Sequence, residues 1–476
     1  MGQEIAKAHF KAADFEQFHQ QLSCETNLLK QMIMRGACST QSPVAGLELE
    51  SWLIDRNMQA SATNDDFLAS LADPLANAEL AKFNIEFNTH PLSLTGDGLE
   101  KLHTQLDATW QRAAKHAETM DTALMMIGSL PTLRATSLNT HNMSDLNRYR
   151  ALNEQILAAR AKPINLDIIG VEHLQFDHHD VMLESATTSL QLHTQIPLEI
   201  AHHYYNASII ASAAMVAICA NSPYLFGKQL WQESRIPLFE QAIETGGYGG
   251  AADGPLKRVS FGSCYANKSI FECFQENLEH FPVLLPVNLQ HDDALFAHLK
   301  LHNGTIWRWN RPLLGEDPDG TPHIRIEHRS PAAGPTIIDT IANAAFYFGL
   351  SKYLCDDIIA NGLPMPFTQA KDNFYQAARH GLKGHIIWSD GQHHRIHTLI
   401  TNTLIPYAIS GLQSLGINSV DIEKYMAVIK HRSETQQTGS QWQQQFIQTH
   451  TTDFATMTRQ YLAHQQQGKP VSQWTL

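Results

Sequence analysis

The sequence predicts an α+β protein, on two observations: short segments of strict polar and apolar alternation, and long segments in which apolar residues recur at helical spacing. Residues 46–52, 84–88, 189–195 and 323–329 alternate. A side-chain period of two sorts each of them into an apolar face and a face of ionisable or amide groups. Glu48 and Glu50 share a face of the first segment, opposite Leu47 and Leu49. Asn84, Glu86 and Asn88 share one in the second, and Gln191 and His193 in the third. In the fourth, Arg325, Glu327 and Arg329 lie opposite Ile324 and Ile326. A solvated sheet face carries mixed polar residues, whereas carboxylates, an imidazole and guanidiniums in this pattern suit a polyanion bound through metal ions.

The elements follow in chain order. Residues 1–40 read as a helical lead-in, with Phe15, Phe18, Leu22, Leu28 and Leu29 near helical spacing. A long helix is expected over 99–126, begun by the Gly96-Asp97-Gly98 turn and carrying Leu102, Leu106, Trp110 and Ala113 on one side. Residues 131–144 read as a loop, with Ser144 as N-cap of the helix that carries Arg148 and Arg150. A further helix over 198–220 must stop at Asn221-Ser222-Pro223, because proline cannot continue it. Residues 244–262 hold Gly246, Gly247, Gly249, Gly250 and Gly254, a density that suits a mobile lid, with a flexible surface loop as the simpler reading. The Gly247-x-Gly249-x-x-Ala252 spacing imitates a dinucleotide fingerprint, but it follows a helical stretch at 237–243 where the fingerprint needs a strand. From 335 onward the pattern is mostly helical and ends in a glutamine-rich stretch at 441–467. The organisation expected is a lead-in over 1–40, an α+β domain over 41–360, and a helical region over 361–476 packed on that same domain.

Composition narrows the function. A length of 476 residues allows a large core. A formal charge of -13 argues against a nucleic-acid or anionic-membrane surface, so an anionic ligand has to be met locally. The first residues show no basic segment followed by an apolar core, and the expectation is a cytoplasmic protein. The longest apolar run, 207–220, is short for a bilayer and contains Ser208 and Ser212, so it reads as a buried helix. The 6 cysteines lie far apart without a Cys-x-x-Cys pair and read as packed thiols. Among 26 histidines the adjacent pairs His178-His179, His202-His203 and His393-His394 do not have zinc spacing, and the last is expected on a surface helix or turn.

Carboxylates aligned on strands suit Mg²⁺ or Mn²⁺, which take oxygen ligands and leave positions for water and phosphate. Glu48, Glu50, Glu86 and Glu327 offer the oxygens and His193 a nitrogen, while a satisfied core histidine is the alternative for His193. Arg325, Arg329, Arg308 and Arg235 are the candidates for phosphate, since a planar guanidinium matches its oxygens. No Walker-type glycine loop occurs. Each strand alone is also what a solvated face with cross-strand ion pairs looks like.

The order of the motifs is more specific than any one of them. Gly46-Leu-Glu-Leu-Glu50 is followed by Glu86-Phe-Asn-Thr-His-Pro-Leu92, Ser189-Leu-Gln-Leu-His193 and Ala220-Asn-Ser-Pro223 with Gly227 and Arg235. Then come Ile306-Trp-Arg-Trp-Asn-Arg311, Arg325-Ile-Glu-His-Arg329 and Ala377-Ala-Arg-His-Gly-Leu382. In this order, over about 40–400, the chain resembles the glutamate–cysteine ligase family, in its bacterial carboxylate-amine ligase branch of the glutamine synthetase-like superfamily. The resemblance implies a curved antiparallel sheet forming a funnel-shaped active site, with helices packed on its outer face. It implies metal-binding roles for Glu48, Glu50, Glu86, His193 and Glu327, and catalytic roles for Arg329 and Arg235. It further implies nucleotide contacts from Arg308, Arg325 and Arg329, and substrate contacts from Asn88, Arg148, Arg150 and Arg235. The implied reaction is two-step: ATP phosphorylates the γ-carboxylate of glutamate, and an amine, cysteine first, attacks the acyl phosphate to give γ-glutamylcysteine, as in glutathione biosynthesis. Another amine or carboxylate on the same fold is the alternative, and a non-catalytic nucleotide sensor is a second. The implied partners are small molecules, with neither nucleic acid nor membrane; the oligomeric state is left open.

Overall fold

The computed structural model describes residues 4–41, 43–160, 162–245, 256–289, 296–450 and 452–476. All four alternating segments enter one sheet. Its eight strands are β1 (Val44–Ile54), β2 (Ala76–Ala78), β3 (Asn84–Asn88), β4 (Leu92–Ser93), β5 (Ala123–Met125), β6 (Leu190–Ile196), β7 (Asn310–Glu316) and β8 (Pro322–His328). Their order is β7-β8-β6-β1-β3-β2, with β4 and β5 paired to β1, and every pairing is antiparallel. The sheet is curled into a half-barrel.

Register decides which side chains meet. Leu47 lies opposite Leu192, Leu49 opposite both Leu190 and Phe87, and Ile324 opposite Ile196. This apolar face is buried throughout. Helices α2 (Gly98–Thr119), α4 (Ala201–Ile218) and α6 (Ile337–Asn361) pack on its strands, while α1 (Ala12–Arg35), α3 (Asn147–Arg160) and α5 (Arg235–Ala242) make their main contacts with other elements. Helix α4 packs on β7 and β8 from one side and on α6 from the other. That is why its sequence is apolar all round. Among the described residues, no helix is long and apolar enough to cross a membrane.

Three local expectations are corrected. The helix expected through Met126 stops at Thr119, where Asp121 turns at φ 57°, and residues 123–125 become β5 beside Trp52, Leu53 and Ile54. Ser144 does not cap α3: its hydroxyl donates to the Glu79 carbonyl and accepts from Asn64 Nδ2 at 3.1 Å, and the helix begins at Asn147. His393 and His394 lie on a short strand, His393–Arg395, paired with His385–Ile387. In the glycine-rich stretch read as a lid, residues 246–255 lie outside the described residues. Farther along, Arg432 forms a buried ion pair with Asp339 of α6 at 2.7 Å, and the same carboxylate accepts from the Val471 backbone at 2.9 Å.

Candidate active site on the polar face of the sheet

The register that stacks leucines on one face gathers charge on the other. Glu48 is opposite Asn88 and Gln191, Glu50 opposite Glu86, and Glu327 opposite both His193 and Arg311. Two groups of ligand-type side chains result, each with candidate ligand atoms within 4.8 Å of one another: Glu48 with His193 and Glu327, and Glu50 with Glu79 and Glu86.

In the first group His193 Nε2 is 3.1 Å from Glu48 Oε1 and 4.0 Å from Glu327 Oε1. Arg311 grips Glu327 through two hydrogen bonds, Nε to Oε2 at 2.8 Å and Nη2 to Oε1 at 3.0 Å. Arg329 Nη1 approaches the same carboxylate at 3.2 Å. Burial opposes ionisation of both glutamates. The neighbouring His193 nevertheless holds Glu48 well below the usual carboxylate range, and Arg311 and Arg329 do the same for Glu327. This group is therefore ionised and charge-compensated.

The second group is not compensated in the same way. Glu50 accepts from Ser189 N at 2.6 Å, Ser189 Oγ at 2.9 Å and Gln191 Nε2 at 3.0 Å, while Glu86 accepts from Asn88 Nδ2 at 2.9 Å. Burial, together with neighbouring carboxylates, pushes Glu79 well above its ordinary value. Burial also raises Glu50 against the pull of Arg329, and burial with the charge of Glu50 pushes Glu184 up to about 8. Buried carboxyls that outnumber the two arginines beside them, Arg235 and Arg329, retain protons or take up a cation, and an all-oxygen donor set selects a hard divalent ion. His193 Nδ1, buried and without a hydrogen-bond partner, agrees with a site arranged for a further group.

These shifts set a stability profile. Glu184 titrates near 8 when folded and near about 4.3 unfolded, so its contribution is complete below about 4.3 and is lost as pH rises through 8. Glu184→Gln keeps the side chain neutral. In metal-free protein it is expected to raise Tm by a few degrees at alkaline pH, by less as the pH falls, and to leave it nearly unchanged at about pH 4. A thermal melt series across that range checks it, and an equal change at both ends overturns the assignment.

Two cavities open on this face. The larger, of about 590 Å³, is lined on its sheet side by Glu48, Gln191, Arg311, Arg325 and Glu327, with Arg148 from α3. The smaller, of about 20 Å³, has room for an ion or a water and is lined by Glu50, Glu79, Glu184, Arg235, Trp309 and Arg329. Arg329 thus stands between the two groups.

The remaining arginines and Asn88 fall in different places. Arg235 is buried, with Nη2 donating to the backbone carbonyls of Arg329 (3.3 Å) and Ser330, Nε 3.4 Å from Glu233, and its guanidinium 5.4 Å from the Trp309 ring centroid. It clamps the strand end that carries Arg329. Arg148 donates to the Ala78 carbonyl at 3.2 Å and to Tyr149 Oη at 2.9 Å. Asn88 orients Glu86. The structure does not bring Arg308 or Arg150 into either cavity. Arg308 is bound by Glu276 and Asn277, each at 2.6 Å, on the side of its strand away from Trp307 and Trp309, and Arg150 is exposed beside Asp145. Sequence reasoning missed Arg311, Glu79 and Glu184. Arg311 carried a signal, since it closes a motif already singled out, but Pro312 and Gly315 hide the alternation of β7. Glu79 sits just past the short β2 and Glu184 on a 3₁₀ turn, Val181–Ala186, where no periodicity exists to read.

No curated protein matches the chain. Among solved structures it is similar to the glutamate–cysteine ligase of Francisella tularensis, determined in complex with AMP. The match covers 90% of this chain and 90% of that one, with a TM-score of 0.52 and 10% identity. It is also similar to a bifunctional glutathione synthetase from Pasteurella multocida, over 91% of this chain and 54% of that one, with a TM-score of 0.55 and 11% identity. At such identity the likeness is one of fold. The sequence itself is matched over residues 44–469 by the model of glutamate-cysteine ligase family 2, a span that holds every strand of the curled sheet and both carboxylate groups. This chain belongs to glutamate–cysteine ligase family 2.

Proposed function

We propose that the protein is an ATP-dependent carboxylate–amine ligase that joins glutamate, through its γ-carboxylate, to cysteine. The observation that carries the reading is the meeting of Glu48, Glu50, Glu86, His193 and Glu327 with Arg325 and Arg329 on one concave polar face, in a chain of this family. Those carboxylates and His193 would hold Mg²⁺ or Mn²⁺, which would supply neutralisation of phosphate charge. Arg325 and Arg329 orient the phosphoryl oxygens and stabilise charge that develops during transfer. Arg311 keeps Glu327 in its rotamer, and Arg235 fixes the backbone from which Arg329 extends. Both act by positioning. The γ-glutamyl phosphate so formed is attacked by the amine, releasing phosphate and leaving the amide. Burial of the carboxylate group around Glu50 limits water at this point, which favours the amine over hydrolysis.

A matrix of carboxylates and amines, scored by phosphate release and by product mass, tests this reading. Glutamate with cysteine is expected to give the highest turnover, ADP and phosphate in equal amounts, and a product of the mass of γ-glutamylcysteine. A different best pair replaces the substrate assignment, and ATP binding without turnover for any pair replaces the ligase by a sensor.

A further inference from the structure

The apolar face of β8 holds one residue that the alternation does not explain. Ile324 and Ile326 are followed on that face by His328, fully buried, while its neighbours Glu327 and Arg329 line the cavities on the other side. An aliphatic side chain would fill this place with no polar atom to satisfy, so the imidazole needs another reason.

Both ring nitrogens are occupied. Nδ1 lies 2.7 Å from Asn310 Oδ1, and Nε2 lies 2.7 Å from Ser330 Oγ. The direction of each bond follows from the helix behind the sheet. Ser212 of α4 gives its hydroxyl hydrogen to the Ser208 carbonyl at 2.8 Å, so its oxygen accepts from Asn310 Nδ2 at 2.9 Å. The amide of Asn310 is thereby fixed: Oδ1 faces the imidazole and accepts, Nδ1 carries the proton, and Ser330 Oγ donates to Nε2. The ring is held from its face as well. Tyr347 of α6 stacks on it with centroids 4.2 Å apart and planes 10° from parallel, and Tyr347 Oη is anchored on Ser208 Oγ at 2.9 Å. All these side chains are buried and paired, the condition under which a polar network rigidifies what it touches.

What it touches is the place where the sheet gives out. The pairing of β8 with β6 ends at His328 opposite Leu192, and its pairing with β7 at His328 opposite Asn310. Beyond that point Arg329 N donates to the Trp309 carbonyl at 2.9 Å, and the Pro331 carbonyl accepts from Leu190 N at 3.0 Å. Arg235 takes the two carbonyls between them. The hydroxyl of Ser330 ties the same turn of chain back to His328.

Building on the reading of Arg329 as a phosphoryl contact, we infer that His328 is a positioning residue for it: with Asn310 and Ser330 it holds the strand end that carries Arg329 from the core side, as Arg235 does from the side of the smaller cavity. His328 lines neither cavity and acts through the backbone alone.

Steady-state kinetics, with melting temperatures as the control for folding, test the inference. His328→Phe keeps a ring against Tyr347 and removes both nitrogens; it is expected to lower kcat by about tenfold, the scale of a sub-ångström misplacement, with the KM for ATP nearly unchanged. Ser330→Ala is milder and serves where His328→Phe does not fold; it removes only the tie to the strand end and is expected to lower kcat by about threefold. A merely structural defect multiplies with any other loss, whereas a loss of positioning vanishes once the positioned group is gone. In an Arg329→Lys background both substitutions are therefore expected to leave kcat where Arg329→Lys puts it. Nitrogen NMR of labelled histidines in the wild-type protein, which needs neither a variant nor turnover, is expected to place the His328 proton on Nδ1. Unchanged kcat in folded single variants, full multiplication in the double variants, or the proton on Nε2 overturns the inference while the ligase reading stands. Wild-type protein that turns over no substrate pair ends the ligase reading and this role of His328 together.

Discussion

In excess EDTA the protein is expected to lose at least about a hundredfold in ATP affinity relative to Mg²⁺-containing buffer. The size of the effect follows from the charges a polyphosphate would meet. Glu48 and Glu327 are held ionised, and Glu50, Glu79, Glu86 and Glu184 stand behind them. Of the guanidiniums on that face, Arg311 is committed to Glu327 and Arg235 to backbone carbonyls and Glu233. Arg325 and Arg329 remain for phosphate. Burial pushes Glu50, Glu79 and Glu184 upward, so without a cation the like charges that a polyphosphate meets are chiefly those of Glu48 and Glu327, where each pair of like charges costs about 4 kcal/mol at 4 Å with an effective dielectric of 20. Divalent cations reverse the sign of the field. Calorimetric titration of ATP in the two buffers measures the difference, and a thermal melt with Mg²⁺ alone provides a second reading, since an ion bound only by the native state raises Tm. Equal ATP affinity with and without chelator removes the metal assignment of these glutamates.

How much of this face could be read from sequence depends on what kind of regularity each residue belonged to. Glu48, Glu50, Glu86, His193 and Glu327 sit on strands whose alternation is strict, and the structure gathers all five on one face. Their distribution between two groups was not legible, because it depends on the offset of β1 against β3, β6 and β8, and register is a long-range property. Arg308 and Arg311 show the same limit at close quarters. They are three residues apart and take opposite sides; alternation separates them but does not say which side is the cavity, and Glu276 takes the guanidinium of Arg308. Arg148 and Arg150 differ by two places on a helix, about 200° of rotation, which sends one to the cavity and the other to solvent. Helix α2 was legible from Gly98 onward, but its end was not: the apolar residues 123–126 continue a helical pattern and were claimed by β1 as a strand partner. Tertiary pairing overrode local periodicity there.

Arg329→Lys is expected to lower kcat by about tenfold or more while leaving the fold intact. Arg329 donates through Nη1 to Gln191, lies 3.2 Å from Glu327, and its charge also acts on Glu50. Its Nε is buried without a partner, so the fork holds a donor that no protein group uses. Lysine keeps the positive charge between the two carboxylate groups, which matters because removing it altogether leaves buried like charges uncompensated, at about 3–5 kcal/mol. What lysine loses is the planar arrangement that binds two phosphoryl oxygens at once. If that arrangement strengthens as charge develops on the transferred phosphoryl group, kcat falls and the KM for ATP changes little; if Arg329 only holds the nucleotide, KM rises and kcat stays. Arg235→Lys separates these further. It withdraws the clamp on the Arg329 and Ser330 carbonyls without touching phosphate, so its effect on kcat should be smaller than that of Arg329→Lys and should disappear in the double variant, where the group it positions is already gone. Steady-state kinetics of the three variants, with melting temperatures as the control for folding, decides the matter. Unchanged turnover in folded Arg329→Lys makes Arg329 an ordinary ion-pair residue of the strand and moves the phosphoryl contact to Arg325.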